Sequence, residues 1–222
     1  MTDKTRAAHK ELVMPRHITH VSLVARRRED LAEGWRKRGF ALEAGGAGIA
    51  LADGVTLDFR DAGVVAVGLS AGPGVTSGAK PEPLDGAGAC FHLAEPAAAG
   101  APEHANGAVA LRAVGAVAES PADHAEFLSA LTGQREMLAT SAGLEIRLSG
   151  ASLDVLSAPA FAYRFGFSPR PGGFHVGGLV FAVKNLAETA AILRTHGLEP
   201  RLQAGRLLAG AVEGVGIAFE QA

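Results

Sequence analysis

One pattern constrains the fold more than any other. Four times a glycine is followed four positions later by a polar side chain of metal-ligating type. The segments are Gly54-Val-Thr-Leu-Asp58, Gly88-Ala-Cys-Phe-His92, Gly150-Ala-Ser-Leu-Asp154 and Gly216-Ile-Ala-Phe-Glu220. Each polar residue follows a Leu or Phe. In an extended strand, neighbouring side chains point to opposite faces. The bulky residue then faces a core, and its polar neighbour the other side of a sheet.

A second pattern lies upstream of three of these segments: an apolar strand, a helix, then a glycine. The first runs through His20-Val-Ser-Leu-Val24, a helix over 28–38 with Leu31 and Trp35 inward, and Gly39. Another runs through Val114-Gly-Ala-Val117, a helix over 121–132 and Gly133. Ser120 is its expected N-cap, with Pro121 in the first turn. The last runs through Gly178-Leu-Val-Phe-Ala-Val183, a helix over 186–196 and Gly197. Here Asn185 and Glu188 have the spacing of a capping box. In this register Gly178 occupies the place of His20. The turns between Gly39 and Asp58, and in the two later counterparts, leave room for two further strands. Three modules therefore read strand–helix–strand–strand–strand. The remaining one begins at Val64-Val-Ala-Val67, has no helical periodicity, and resumes at Gly88. Residues 71–86 are expected to be a mobile loop.

These residues resemble the vicinal-oxygen-chelate superfamily, in its glyoxalase-like form. His17-Ile-Thr-His20-Val-Ser-Leu-Val is similar to that family's first strand, and Arg38-Gly-Phe40 to the end of its first helix. Phe91-His-Leu-Ala-Glu-Pro96 with Pro102-Glu-His-Ala-Asn-Gly-Ala108 is similar to a mid-chain signature of the glyoxalase-like group. The likeness runs over about residues 17–221. It implies an α+β fold of four βαβββ-type modules, the second degenerate, forming curved mixed sheets. The expected division is a polar tail (1–13), a module pair (14–98), a linker (99–106) and a second pair (107–222).

The resemblance also implies a divalent metal ion, Zn, Ni, Mn or Fe, on the concave face of a sheet. Such an ion polarises a carbonyl in isomerase or lyase chemistry. Carried over by position, the ligands are His20, Asp58 and His92. The candidate base is a carboxylate such as Glu220 or a metal-bound hydroxide. Pairing of modules three and four would leave Asp154 and Glu220 as a vestigial cleft without metal, whereas pairing of modules one and four would bring Glu220 to His20 and Asp58. Ser22, His104 and Tyr163 are candidate substrate contacts. The alternative is a metal-free protein that binds or sequesters a hydrophobic small molecule. A ring-cleaving dioxygenase site would need histidines where modules three and four carry Ala113 or Val114 and Gly178.

Other residues are expected to be structural. Asn106-Gly107 suits a turn. His17 and His175 fall on the opposite face from His20 and Gly178, and His124 and His196 on solvent-facing helix surfaces. Cys90 shares the face of His92, and a buried inert thiol is the commoner outcome. Phe161 and Phe165 have helical spacing, either as a short helix plugging a sheet or, with Tyr163, as an aromatic wall for a ligand.

Composition limits the partners. A net charge of −2, with Arg26-Arg27-Arg28 followed by Glu29-Asp30, offers no surface for nucleic acid. No stretch has the ~20 apolar residues of a membrane span. One cysteine excludes an internal disulfide, and with no apolar leader the expected location is cytoplasmic. The expected partner is a small molecule, and edge pairing of sheets would give a homodimer. Phosphate-loop, dinucleotide-binding and nucleophile-elbow motifs do not occur.

Overall fold

The computed structural model describes residues 16–70, 84–94, 100 and 102–222. Five strands form a first sheet: β1 (Ile18–Val24), β2 (Gly48–Ala50), β3 (Thr56–Arg60), β4 (Ala66–Leu69) and β5 (Phe91–Leu93). Their order is β2-β3-β1-β4-β5. Helix α1 (Arg28–Lys37) carries the chain over from β1, and a hairpin then returns β3 parallel to β1. β4 runs antiparallel to β1, and β5 parallel to β4.

The second sheet repeats this plan at full length. It contains β6 (Ala108–Val117), β7 (Met137–Thr140), β8 (Gly143–Arg147), β9 (Ser152–Leu156), β10 (His175–Val183), β11 (Arg201–Gln203), β12 (Arg206–Val212) and β13 (Val215–Gln221). Its order is β11-β12-β13-β10-β6-β9-β8-β7. Again each first strand lies parallel to its module's last, β6 to β9 and β10 to β13, and the two first strands meet antiparallel. Modules one and two thus share one sheet, and three and four the other.

The connecting helices are α2 (Ala125–Thr132) and α4 (Leu186–Thr195). A third, α3 (Ala158–Phe165), joins β9 to β10. The expected helix over 121–132 divides into a 3-10 turn at Pro121–His124 followed by α2, and Ser120 makes no side-chain cap bond. Asn185 does cap α4: its side-chain oxygen accepts from the N–H groups of Ala187 and Glu188, and its amide donates to Glu188 Oε1 at 3.0 Å. The expected mobile loop falls largely outside the described residues. Its end is ordered as a 3-10 segment, Leu84–Cys90.

A common core joins the sheets. Leu31 and Trp35 of α1 point inward, as their spacing demands. The Trp35 ring packs on Phe40 and Phe59, and also on Phe181 of β10, with centroids 5.7 Å apart. Phe40 in turn contacts Phe181 and Phe219. Beside them lies the buried guanidinium of Arg38, which donates to the carbonyls of Gly34, Ala209 and Ala211. Burial without a carboxylate partner lowers its pKa to about 10.

Candidate functional site

The first sheet turns one face to this core through Val21, Leu23, Leu57, Phe59, Val67 and Leu69. Alternation therefore places His20, Ser22, Thr56, Asp58, Gly68 and His92 on the other face. The strand register aligns four of them in a row: Thr56 beside His20, His20 beside Gly68, and Gly68 beside His92. His20 and His92 are thus two strands apart, about 9–10 Å between backbones. Gly68 lets them meet. A Cβ there would fall 2.4 Å from His20 Cε1 and Nδ1, and 2.8 Å from Thr19 Oγ1.

Across that gap, Nε2 of His20 and Nε2 of His92 approach to 2.8 Å, with ring centroids 4.6 Å apart. One nitrogen donates and the other accepts, so the contact needs at least one neutral ring. Thr19 Oγ1 lies 3.3 Å from His20 Nδ1. Burial lowers the His20 pKa. The charge of Asp58 opposes that shift, while His92 and Arg60 add to it. Ser22, cross-strand from Asp58, is 1% exposed, and its hydroxyl has no hydrogen-bond partner.

The chemistry of these side chains suits a divalent ion in two of its ligands. Both Nε2 atoms point at one spot, and the charge of Asp58 acts on His20. A third ligand is not in place. Among the described residues no three His, Cys, Asp or Glu side chains gather as a metal-binding group. Two imidazole nitrogens on one zinc ion, each at 2.0–2.1 Å, stand about 3.3 Å apart in tetrahedral geometry. The observed 2.8 Å is a direct hydrogen bond.

Three other expectations need correction. Glu220 lies on β13 in the second sheet, where its carboxylate accepts from Arg206 Nε at 3.1 Å. It belongs to a different sheet from His20 and is not the base of this site. His104 does not line a cleft. It is 3% exposed, its Nδ1 accepts from the Ala41 N–H, and its Nε2–H donates to the Ala50 carbonyl. His124 is not solvent-facing but 1% exposed, packed against Phe174. Asn106 is structural, closing its own turn onto the Ala108 N–H and donating to the Arg38 carbonyl. Cys90 is a buried thiol at the end of its 3-10 segment, with its pKa raised by burial.

On the second sheet the equivalent row reads Asp154, Gly115, Gly178 and Gly216. Phe165 of α3 rests on the three glycines, where a Cβ at Gly178 would lie 2.4 Å from its ring. Phe161 stacks on Phe165 and covers Gly177. The helix fills this face, and Arg164 pairs with the buried carboxylate of Asp154. Tyr163, on the outer side of α3, is 67% exposed. Nothing local in the sequence singles out Gly68 or Gly115, because only register reveals what lies across from a glycine.

No family model matches the sequence, and no curated protein does. Solved structures share the fold over almost the whole chain. A xylose isomerase-like TIM barrel/4-hydroxyphenylpyruvate dioxygenase fusion protein aligns with a TM-score of 0.55 and 11% identity. It covers 93% of this chain, which spans only 49% of that protein. A 2,2',3-trihydroxybiphenyl 1,2-dioxygenase from Sphingomonas wittichii aligns at 0.54 and 15% identity, covering 94% of this chain and 90% of its own. A mutant of 4-hydroxymandelate synthase from Streptomyces coelicolor aligns at 0.53 and 12% identity, covering 92% of each chain.

Proposed function

Because the chain has the vicinal-oxygen-chelate, glyoxalase-like fold, we propose that its working site is the open face of the first sheet. There His20 and His92 would hold a divalent ion, with Asp58 supplying carboxylate charge, next to a small molecule with adjacent oxygens. The observation that carries this proposal is the convergence of two Nε2 atoms across Gly68, where a side chain would strike the His20 ring. A bound Zn, Ni, Mn or Fe ion would supply Lewis acidity towards a carbonyl, which serves isomerase or lyase chemistry.

The chain's own residues have separate tasks in this scheme. Thr19 Oγ1 steadies the His20 ring from its Nδ1 side. The Ser22 hydroxyl, buried on the same face beside Asp58, makes no hydrogen bond of its own. The charge of Asp58 favours positive charge at His20 and would offset that of a bound ion. Val21, Leu57 and Val67 close the sheet from behind and keep water from that side.

A second proposal rests on the short Nε2–Nε2 contact. A hydrogen-bonded histidine pair is complete without an ion and would form the polar floor of a metal-free binding site for a hydrophobic small molecule. Metal content separates the two. Mass spectrometry of untagged protein after exposure to Fe, Mn, Ni and Zn should find about one ion per chain, absent from His20→Ala and from His92→Ala. Wild type that takes up none of the four supports the metal-free binder.

A further inference from the structure

The second sheet, though plugged by α3, keeps a cleft between that helix and the β7–β8 hairpin. Its volume is 390 Å3, within the ~300–1,000 Å3 usual for small-molecule pockets. Most of its wall is apolar, from Leu138, Leu156 and Ala160, and Tyr163 forms one lip. Tyr163 and Leu138 are 67% and 56% exposed, both among the largest exposures of any bulky apolar side chain described. An aromatic ring and a leucine standing in water at the mouth of one cleft are surface that a ligand would cover.

The charges in the cleft are unequal. Asp154 is 2% exposed. Its carboxylate accepts from Ser152 Oγ at 3.0 Å and pairs with Arg164, so these two groups offset each other inside the wall. Glu145 is the cross-strand neighbour of both Asp154 and Leu138. Among the described residues its ion-pair partner is Arg147, at 3.4 Å, whose side chain is 85% exposed. An exposed pair of that kind contributes little and is readily exchanged. The cleft therefore offers one carboxylate, Glu145, that no buried cation among the described residues neutralises. An anion would meet Glu145 and find Arg164 already engaged. A cation would meet Glu145, with Tyr163 lining the same cleft.

We propose that this cleft binds a small amphipathic amine, its ammonium at Glu145 and its apolar body against Leu138, Leu156, Ala160 and the Tyr163 ring. The site is separate from the histidine pair and does not depend on a metal ion.

Calorimetry with three ligands of one shape tests it: 4-phenylbutylamine, 4-phenylbutanol and 4-phenylbutyrate. The amine should bind with a Kd at least about tenfold below that of the alcohol, the increment of one charge-assisted contact, and the carboxylate should bind weakest. Glu145→Gln should abolish the preference for the amine over the alcohol. Tyr163→Ala should weaken amine and alcohol alike. Neither His20→Ala nor a chelator should change the amine's affinity. The proposal is overturned if the amine does not saturate the protein, if amine and alcohol bind equally, or if the preference survives Glu145→Gln. Loss of amine binding in His20→Ala would also overturn it and place the ligand on the first sheet. Metal uptake by wild type, or its failure, leaves each of these outcomes unchanged.

Discussion

Single atoms decide the open face of the first sheet. The missing Cβ of Gly68 lets His20 lean over β4 to His92. Gly68→Ala should therefore separate the rings and cost about 1–3 kcal/mol, the usual effect of overpacking. Urea denaturation checks the stability, and metal uptake should fall with it. His104 illustrates the opposite use of a histidine. Held neutral between Ala41 and Ala50, it has a pKa lowered by burial, an effect the hydrogen bond to Ala50 only partly offsets. The unfolded chain then binds a proton more readily than the folded one. Its contribution to stability is complete above the unfolded value of about 6.5 and is lost as pH falls through it towards the folded value. Urea midpoints measured from pH 8 to 5 should fall on the acid side, and less so in His104→Gln, which retains one of the two bonds.

At the scale of elements, helix α3 sets the difference between the two sheets. Three glycines in register on β6, β10 and β13 form a flat floor, and Phe165 occupies it. Phe165→Ala should leave a cavity and cost about 3–5 kcal/mol. A histidine restored at Gly178 would collide with that ring, so Gly178→His should destabilise the protein and not create a ligand site. Helix α4 depends on its cap: Asn185→Ala should cost about 0.5–2 kcal/mol, measurable as a lower thermal midpoint. The helices and strands were largely legible in the sequence, because periodicity and caps are local. Leu31, Trp35 and Asn185 do what their spacing implies. Ser120 does not, since a 3-10 turn at Pro121 takes the place of the regular helical start. The burial of His104 and His124 is not legible in the sequence, because it depends on packing partners, Phe40 and Phe174, that lie far away along the chain.

Over the whole molecule, pairing of modules is what local patterns left open. The alternation that put His20, Asp58 and His92 on one face was readable. That Glu220 belongs to another sheet was not, since strand order is set by non-local contacts. The two sheets are joined by a shared aromatic core around Trp35, with Arg38 beside it donating to two carbonyls of β12. Arg38→Lys cannot reproduce the planar fork. Leaving buried carbonyls unpaired, it should cost about 1–3 kcal/mol. Because Trp35 touches both halves of that core, its fluorescence and the far-ultraviolet signal should report one coincident unfolding transition.

The most direct test of the histidine site is anomalous diffraction from crystals soaked in zinc, recorded on both sides of the zinc edge. The expected result is one peak bonded to Nε2 of His20 and of His92, at about 2.0–2.1 Å from each, with the rings moved slightly apart. Two rings still in direct hydrogen-bonded contact and no peak between them would contradict the metal site and leave the pair as the floor of a metal-free pocket.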